Sequence, residues 1–327
     1  MIPVRHRQQL TKAAENVIQQ VCQQRLGAMK RPPAVEIDFI ASLVENGAPL
    51  LEIEWQKILA PDRVSVRVAG IFCHQSPMVD INGKPPRAVP TQRCELADLM
   101  ILHSHSMPDG KVFWRGVLIQ AKADSGRNVT PDEPQLWLYQ DWPNFVITAP
   151  GFNRRQRDFD RDERSGRYAL VSKSGWHVLR AGNPLVAKST ASVELSEFLV
   201  KMLYDMDPAQ PSRTSTHGKQ VYQNSLRDWS PTIWDLVEVT AKNALRHRGR
   251  KHGLYDRDLS RLGGGVLQMT LDAAVQHSHL PPRYEGAVGV DGDGDGVSIL
   301  VVETRSTDGA ETRFIHEGGF RNQSELQ

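Results

Sequence analysis

No stretch of this chain reaches the run of about 18 apolar residues that a membrane-crossing helix needs, so no membrane span is expected. Cysteine is scarce. Cys22, Cys73 and Cys94 are the only three, an odd number with no paired spacing. That argues against a disulfide frame, leaves a structural zinc site unsupported, and fits reduced thiols in a cytoplasm. An excess of one charge is missing too: 40 Lys and Arg face 38 Asp and Glu, for a net charge of +2. The chain as a whole is no polycation, so any affinity for nucleic acid must come from local clustering. No Gly-x-x-x-x-Gly-Lys-Ser/Thr run occurs, which removes an evident nucleotide-triphosphate motor, and no Gly-x-Ser-x-Gly elbow occurs either. The opening residues Met1 to Arg7 have neither an apolar core nor a small-residue cleavage site, so no secretory signal is expected. What remains is ordinary globular composition, 39% apolar and 24% charged, over 327 residues. That length supports one large domain or two, with a well-buried core.

Leu10, Ala14, Val17, Ile18 and Val21 recur at helical spacing, which predicts a helix over residues 7 to 27 with Gly27 as its stop. A second helical stretch covers Glu36 to Val44 and ends at Asn46-Gly47. Leu51, Ile53 and Trp55 alternate with Glu52, Glu54 and Gln56, which favours a strand, and Val64, Val66 and Val68 open another after a turn at Pro61-Asp62. Further on, a short helix is expected from Gln135 to Trp142 and strands at Phe145 to Ala149, Tyr168 to Ser172 and Trp176 to Arg180. A helix from about Val193 to Met206 follows. The Pro-, Ser- and Thr-rich segment from Asp207 to Lys219 is the expected boundary. Beyond it, Pro231 near the start of a helix, an apolar stripe from Ile233 to Leu245, a helix near 266 to 277 and a strand from Val297 to Thr304 predict a smaller α+β module. No internal repeat is visible.

The chemistry-bearing pattern lies between these parts. Cys94 to Leu102 and Gly116 to Lys122 are short apolar segments of the kind that form strands buried on both faces. Met107-Pro108-Asp109-Gly110 between them predicts a hairpin. Asp98 sits on the first segment, Gln120 and Lys122 on the second, and strand alternation projects Gln120 and Lys122 from one face. Such groups are costly to bury among apolar strands unless they act together. A structural ion pair, with Lys122 reaching water and Asp98 pairing with it, is the competing reading.

The order of a strand with Asp98, a hairpin, a strand with Gln120-x-Lys122 and then a helix resembles the PD-(D/E)xK nuclease superfamily. More narrowly it resembles the Gln-x-Lys variants among Mrr-type restriction nucleases and bacterial antiphage effector nucleases. The resemblance covers roughly residues 35 to 150. It implies a restriction-endonuclease-like mixed sheet flanked by helices in a nuclease domain of residues 1 to 210, with 211 to 327 as the smaller α+β module, of unknown role: oligomerisation, DNA contact or sensing. It implies a Mg²⁺- or Mn²⁺-dependent endodeoxyribonuclease acting on double-stranded DNA, a homodimer, and a place in antiphage defence or restriction. Asp98 and Gln120 would be metal ligands, Lys122 a charge stabiliser, Glu95 an additional carboxylate, and Glu36 or Glu45 a further acid from the first helices. Mg²⁺ takes oxygen ligands and keeps several waters, so few protein donors suffice. Gln120 is where the chain departs from the parent pattern, because a neutral oxygen binds a cation more weakly than Glu. A catalytically silent module that binds nucleic acid or a partner protein is the alternative, and an effector awaiting an activating ligand or partner is a third.

Other residues carry weaker signals. His74, Gln135, Arg246, Arg248 and Arg250 are candidates for substrate contact, the last three inside the basic run 246 to 252. That run would give salt-sensitive, sequence-independent phosphate contacts, or merely complement a helix C-terminus. His103 and His105 are expected to face solvent on the hairpin, and the Arg-rich stretch 154 to 167, balanced by acids, to form a solvated loop. Asp291 to Gly296 imitates the start of an EF-hand loop. Its twelfth position is Val302 where a bidentate Glu is needed, so calcium is not expected.

Overall fold

The computed structural model describes residues 2–28, 36–73, 76–83, 92–124, 126, 129–182, 184–186, 192–204, 217–223, 225, 227–246, 254–255, 265–277 and 296–306. In chain order the first elements are α1 (Arg7–Ala28), α2 (Glu36–Ala41), a π-helical stretch Ser42–Gly47, and α3 (Ala48–Leu59). Five strands follow: β1 (Val64–Ile71), β2 (Met78–Ile81), β3 (Arg93–Glu95), β4 (Leu99–Ser106) and β5 (Val112–Ala123). Then come α4 (Glu133–Asp141), β6 (Phe145–Ile147), β7 (Gln156–Arg157), β8 (Gly166–Ser172), β9 (Gly175–Leu179), β10 (Val193–Glu194) and α5 (Leu195–Tyr204). The last are β11 (Lys219–Val221), α6 (Trp229–Arg246), β12 (Leu254–Tyr255), α7 (Val266–His277) and β13 (Ser298–Ser306).

A nine-stranded mixed sheet is the backbone of the molecule, in the order β10-β9-β8-β5-β4-β13-β1-β12, with β11 also pairing β5. The β4–β5 hairpin is antiparallel, from Leu99 opposite Ile119 to Ser106 opposite Val112, and its turn is the one the sequence announces. The twelve-residue β5 is long enough to take β8 in parallel along Leu118 to Ala123 and β11 along Trp114 to Gly116. The fold is therefore α/β, with a mixed sheet flanked by helices.

Each face of the sheet buries its own cluster. On one side α1, α3 and α5 pack through Leu10, Val17, Leu51, Trp55 and Phe198 onto Val66, Ile101, Ile119 and Ala169. On the other, α4, α6 and α7 bring Tyr139, Trp142, Trp234 and Leu267 against Met100, Leu118 and Tyr168. That second side also carries a small four-stranded sheet, β3-β2-β6-β7. Gly166 opens β8 directly beneath α4: a Cβ there would lie 2.6 Å from the Trp142 ring and 2.7 Å from the Tyr139 ring. Only glycine lets this helix settle onto the strand beside β5.

Several expectations are corrected. Residues 51 to 55 are helix, not strand: Ala48, Leu51, Trp55 and Leu59 are all buried at spacings of three and four, which outweighs the short alternation. Glu52 turns inward with them because its carboxylate accepts the Val68 N–H at 2.9 Å. The helix does not stop at Asn46-Gly47 but runs through the π-helical stretch into α3. Cys94 to Leu102 is not one strand. Cys94 and Glu95 belong to the small sheet and the chain crosses at Leu96–Asp98 before β4 begins. His103 and His105 are buried at 1% and 4% exposure, because Thr304 of β13 offers its hydroxyl to both rings at 2.9 and 2.8 Å. Nor is 154 to 167 merely a solvated loop: Arg157 is fully buried and paired to Asp235 of α6 at 2.6 Å. The main sheet also runs across the boundary expected near residue 210, since β13 lies between β4 and β1.

Candidate active site

The residues that carry the sequence pattern meet where β4 begins and β5 ends. Asp98 stands one position before β4, and its N–H donates to Ile119 O at 3.0 Å, which fixes it against β5. One carboxylate oxygen, Oδ1, accepts the Ser76 hydroxyl at 3.0 Å. The other, Oδ2, accepts the Ala121 N–H at 2.8 Å and the Gln120 side-chain N–H. Asp98 lines a cavity of about 230 Å³ together with Glu36, Ile37, Ile40, Cys73, Ser76, Glu95, Ala121 and Lys122. A water in liquid occupies about 30 Å³, so several waters or a phosphoryl group fit there.

Like charges crowd this cavity. Burial first, and then Glu95, push the Asp98 carboxyl up to about 7, against the stabilising Ala121, Ser76 and Lys122 contacts. Glu95 is also raised, by burial first and by Asp132 and Glu36 further, while Lys122 and Gln120 oppose the shift. Glu36, at the first position of α2, accepts the Ala123 N–H at 3.0 Å, so the helix delivers its carboxylate to the end of β5. That contact and the cavity wall select Glu36 over Glu45, which lies in the π-helical stretch and not in the wall. Lys122 does not pair with Asp98. Its ammonium points to Asp132, 3.4 Å away at the start of α4. Cys73 and Cys94 beside the site are held near 12 by burial, as inert thiols.

Gln120 is the unusual member. It is 1% exposed, gives its N–H to Asp98, and keeps its oxygen buried with no hydrogen-bond partner among the described residues. The structure thus brings Asp98, Glu95, Gln120 and Lys122 together. Gln135 is buried in the first turn of α4 and is not part of the cavity wall. His74, Arg248 and Arg250 lie outside the described residues, as does the Arg246 side chain. Ser76, Glu36 and Asp132 complete the group. No sequence signal pairs Ser76 or Asp132 with this site, because their partners lie on other elements.

No family model, no curated protein and no solved structure matches this chain.

The donor set suits a hard divalent cation in kind. Three carboxylates and a hydroxyl line the cavity, the oxygen chemistry that Mg²⁺ prefers, and a cation there would relieve the crowding of like charge. The present arrangement is not a finished cation site. Asp98 already accepts three hydrogen bonds, Gln120 faces it with nitrogen, and no group of three or more His, Cys, Asp or Glu among the described residues is arranged to hold a metal. A half-turn of the Gln120 amide would present its orphaned oxygen to the same space. Among the described residues no helix is long and apolar enough to cross a membrane.

Proposed function

We propose that this chain is a divalent-metal-dependent nuclease that hydrolyses the phosphodiester bonds of DNA. One observation carries the reading: Glu36, Glu95, Asp98 and Lys122, from three separate parts of the chain, share one cavity at the ends of the central strands β4 and β5. Acids to hold a cation and an amine to face the phosphate are what a metal-dependent phosphate-cleaving centre needs. Asp98, with Glu95 or Glu36, would hold the cation, which supplies Lewis acidity and a more acidic water. The Lys122 ammonium would balance the charge that grows on the phosphate oxygens. Ser76 and the Ala121 N–H hold the Asp98 carboxylate in place at the cavity wall. Double-stranded DNA as the substrate, a homodimer, a cytoplasmic setting and a role in antiphage defence or restriction rest on the family resemblance and belong to the same reading.

A second reading has its own observation. Gln120 turns nitrogen, not oxygen, toward Asp98, which is how a nuclease-like module that binds nucleic acid or a partner without cleaving would look. Plasmid DNA incubated with the protein and Mg²⁺ or Mn²⁺ decides between them. Nicking is expected from the native chain, falling by about two to three orders of magnitude in Asp98→Ala and in Lys122→Ala. Intact plasmid with both metals, or nicking that survives both substitutions, would leave the binding module as the better account.

A further inference from the structure

The partner that Lys122 does have is unusual for its position. Asp132 immediately precedes α4, in the extended conformation (φ −61°, ψ 136°) of a helix N-cap. An Asp there ordinarily accepts the N–H of the second or third helical residue. Asp132 makes no such bond. Its carboxylate leaves the helix end and reaches Lys122, 3.4 Å away. The two ends of this pair differ in setting: the Asp132 side chain is 73% exposed and the Lys122 side chain 19%. An acid that stays mostly in water and forgoes its cap is holding an amine that lines the cavity. The second helical residue, Pro134, has no N–H to offer, so the third, Gln135, is the cap partner that Asp132 forgoes, and Glu133 lies in solvent.

We infer that Asp132 is an internal stand-in for substrate phosphate, a latch that occupies Lys122 until a nucleic-acid backbone displaces it. The inference rests on the nuclease reading and adds a competitor to its site. Both anions seek the same ammonium, and the exposed one gives way readily because an ion pair with one face in water is weak. Displacement returns the Asp132 carboxylate to solvent or to the open helix end it would otherwise cap.

Binding of a short fluorescent DNA duplex to the full chain, followed by anisotropy in EDTA so that nothing is cleaved, tests this. Asp132→Asn should bind about fivefold more tightly than the native chain, the factor that an exposed ion pair of ordinary strength corresponds to. The slope of log affinity against log salt should match the native chain's, because Lys122 reaches the same phosphate in both complexes, and should fall by about 0.9 in Lys122→Ala. The gain in affinity should vanish when Lys122→Ala is added, and Asp132→Glu should restore native behaviour. Glu133→Gln removes the same charge one residue away and should change little. An equal gain from Glu133→Gln, or a gain that persists without Lys122, would overturn the latch in favour of a general field effect. Acylation of Lys122 by an amine-reactive reagent, read by mass spectrometry, keeps the two levels apart. Faster labelling in Asp132→Asn with no duplex bound by any variant would sink the nucleic-acid reading and uphold the pair; unchanged labelling would overturn the latch whatever the duplex does.

Discussion

Among the places where the described residues bury charge, two resolve it in opposite ways. Between β7 and α6, Arg157 and Asp235 are both wholly inaccessible and sit 2.6 Å apart. Arg157 also donates to Thr232 at 3.2 Å and to Asn153 at 2.8 Å. Burial lowers its pKa, but Asp235 pulls the other way and the charges cancel inside the fold. In the cavity at the start of β4, Asp98, Glu95 and Glu36 are acids of one sign, and the amine in the wall is turned toward Asp132. The first arrangement pairs its two charges inside the fold, although the Arg157 Nε finds no hydrogen-bond partner among the described residues. The second holds an imbalance that a bound cation would remove. Charge buried with its complement is architecture; charge buried without it marks a place where something else binds.

The largest effect expected from breaking this contrast is on the satisfied pair. Asp235→Ala strands a guanidinium in the core and should lower the free energy of unfolding by about 3–5 kcal/mol. Replacing both partners with apolar residues, Arg157→Met and Asp235→Leu together, should recover most of that loss. Urea denaturation measures both. A cost under about 1 kcal/mol for Asp235→Ala would mean that water reaches the pair and that the contrast with the cavity is overstated.

The far end of the β4–β5 hairpin supplies an intermediate case, neutral rather than paired. Burial holds His103 down at about 3 and His105 at about 4, so both rings stay uncharged in the folded chain at pH 5 while the unfolded chain takes up protons below about 6.5. More protons on the unfolded state means that stability falls as pH falls, by about 2 kcal/mol per ring between pH 7 and pH 5. The slope, not the absolute stability, is the readout. His103→Gln with His105→Gln should flatten it over that window, and an unchanged slope would show that the rings are solvated at neutral pH.

These cases also show what the sequence could reveal. Elements whose cause is local were legible: α1 and α6 from apolar spacing, and the hairpin from its four-residue turn. Asp98, Gln120 and Lys122 were legible for the same reason, because one hairpin brings them together. What failed depended on distant partners. The short alternation at residues 51 to 55 lost to a helical face that needed Leu10 and β1 to pack against; the Trp55 ring N–H donates to Leu10 O at 3.0 Å. His103 and His105 read as solvent-facing until β13 arrives beside β4 with Thr304. Arg157 read as a loop residue because Asp235 belongs to a helix on the far side of the expected boundary. The cavity followed the same rule: choosing Glu36 required α2 at the end of β5, and Ser76 and Asp132 gave no warning.

The smallest of these effects tests the imbalance itself. Asp98→Asn removes one of the crowded charges while every hydrogen bond can survive. The remaining oxygen can accept from Ala121 and Gln120, and the new amide N–H can donate to Ser76, whose hydroxyl rotates to receive it. The native carboxyl is raised to about 7 from an ordinary value near 3.8, so the folded chain holds a proton there that the unfolded chain has released. Between about pH 4 and 7 its contribution therefore weakens the fold as pH rises, opposite in sign to the histidines. In metal-free buffer above pH 7, Asp98→Asn should stabilise the protein by about 1–3 kcal/mol and should be nearly neutral at pH 4. Thermal unfolding across that range, with and without Mg²⁺, measures it. If Asp98→Asn destabilises the metal-free protein at pH 8, the carboxylate is contributing to the fold rather than costing it, and the cavity belongs with Arg157 and Asp235.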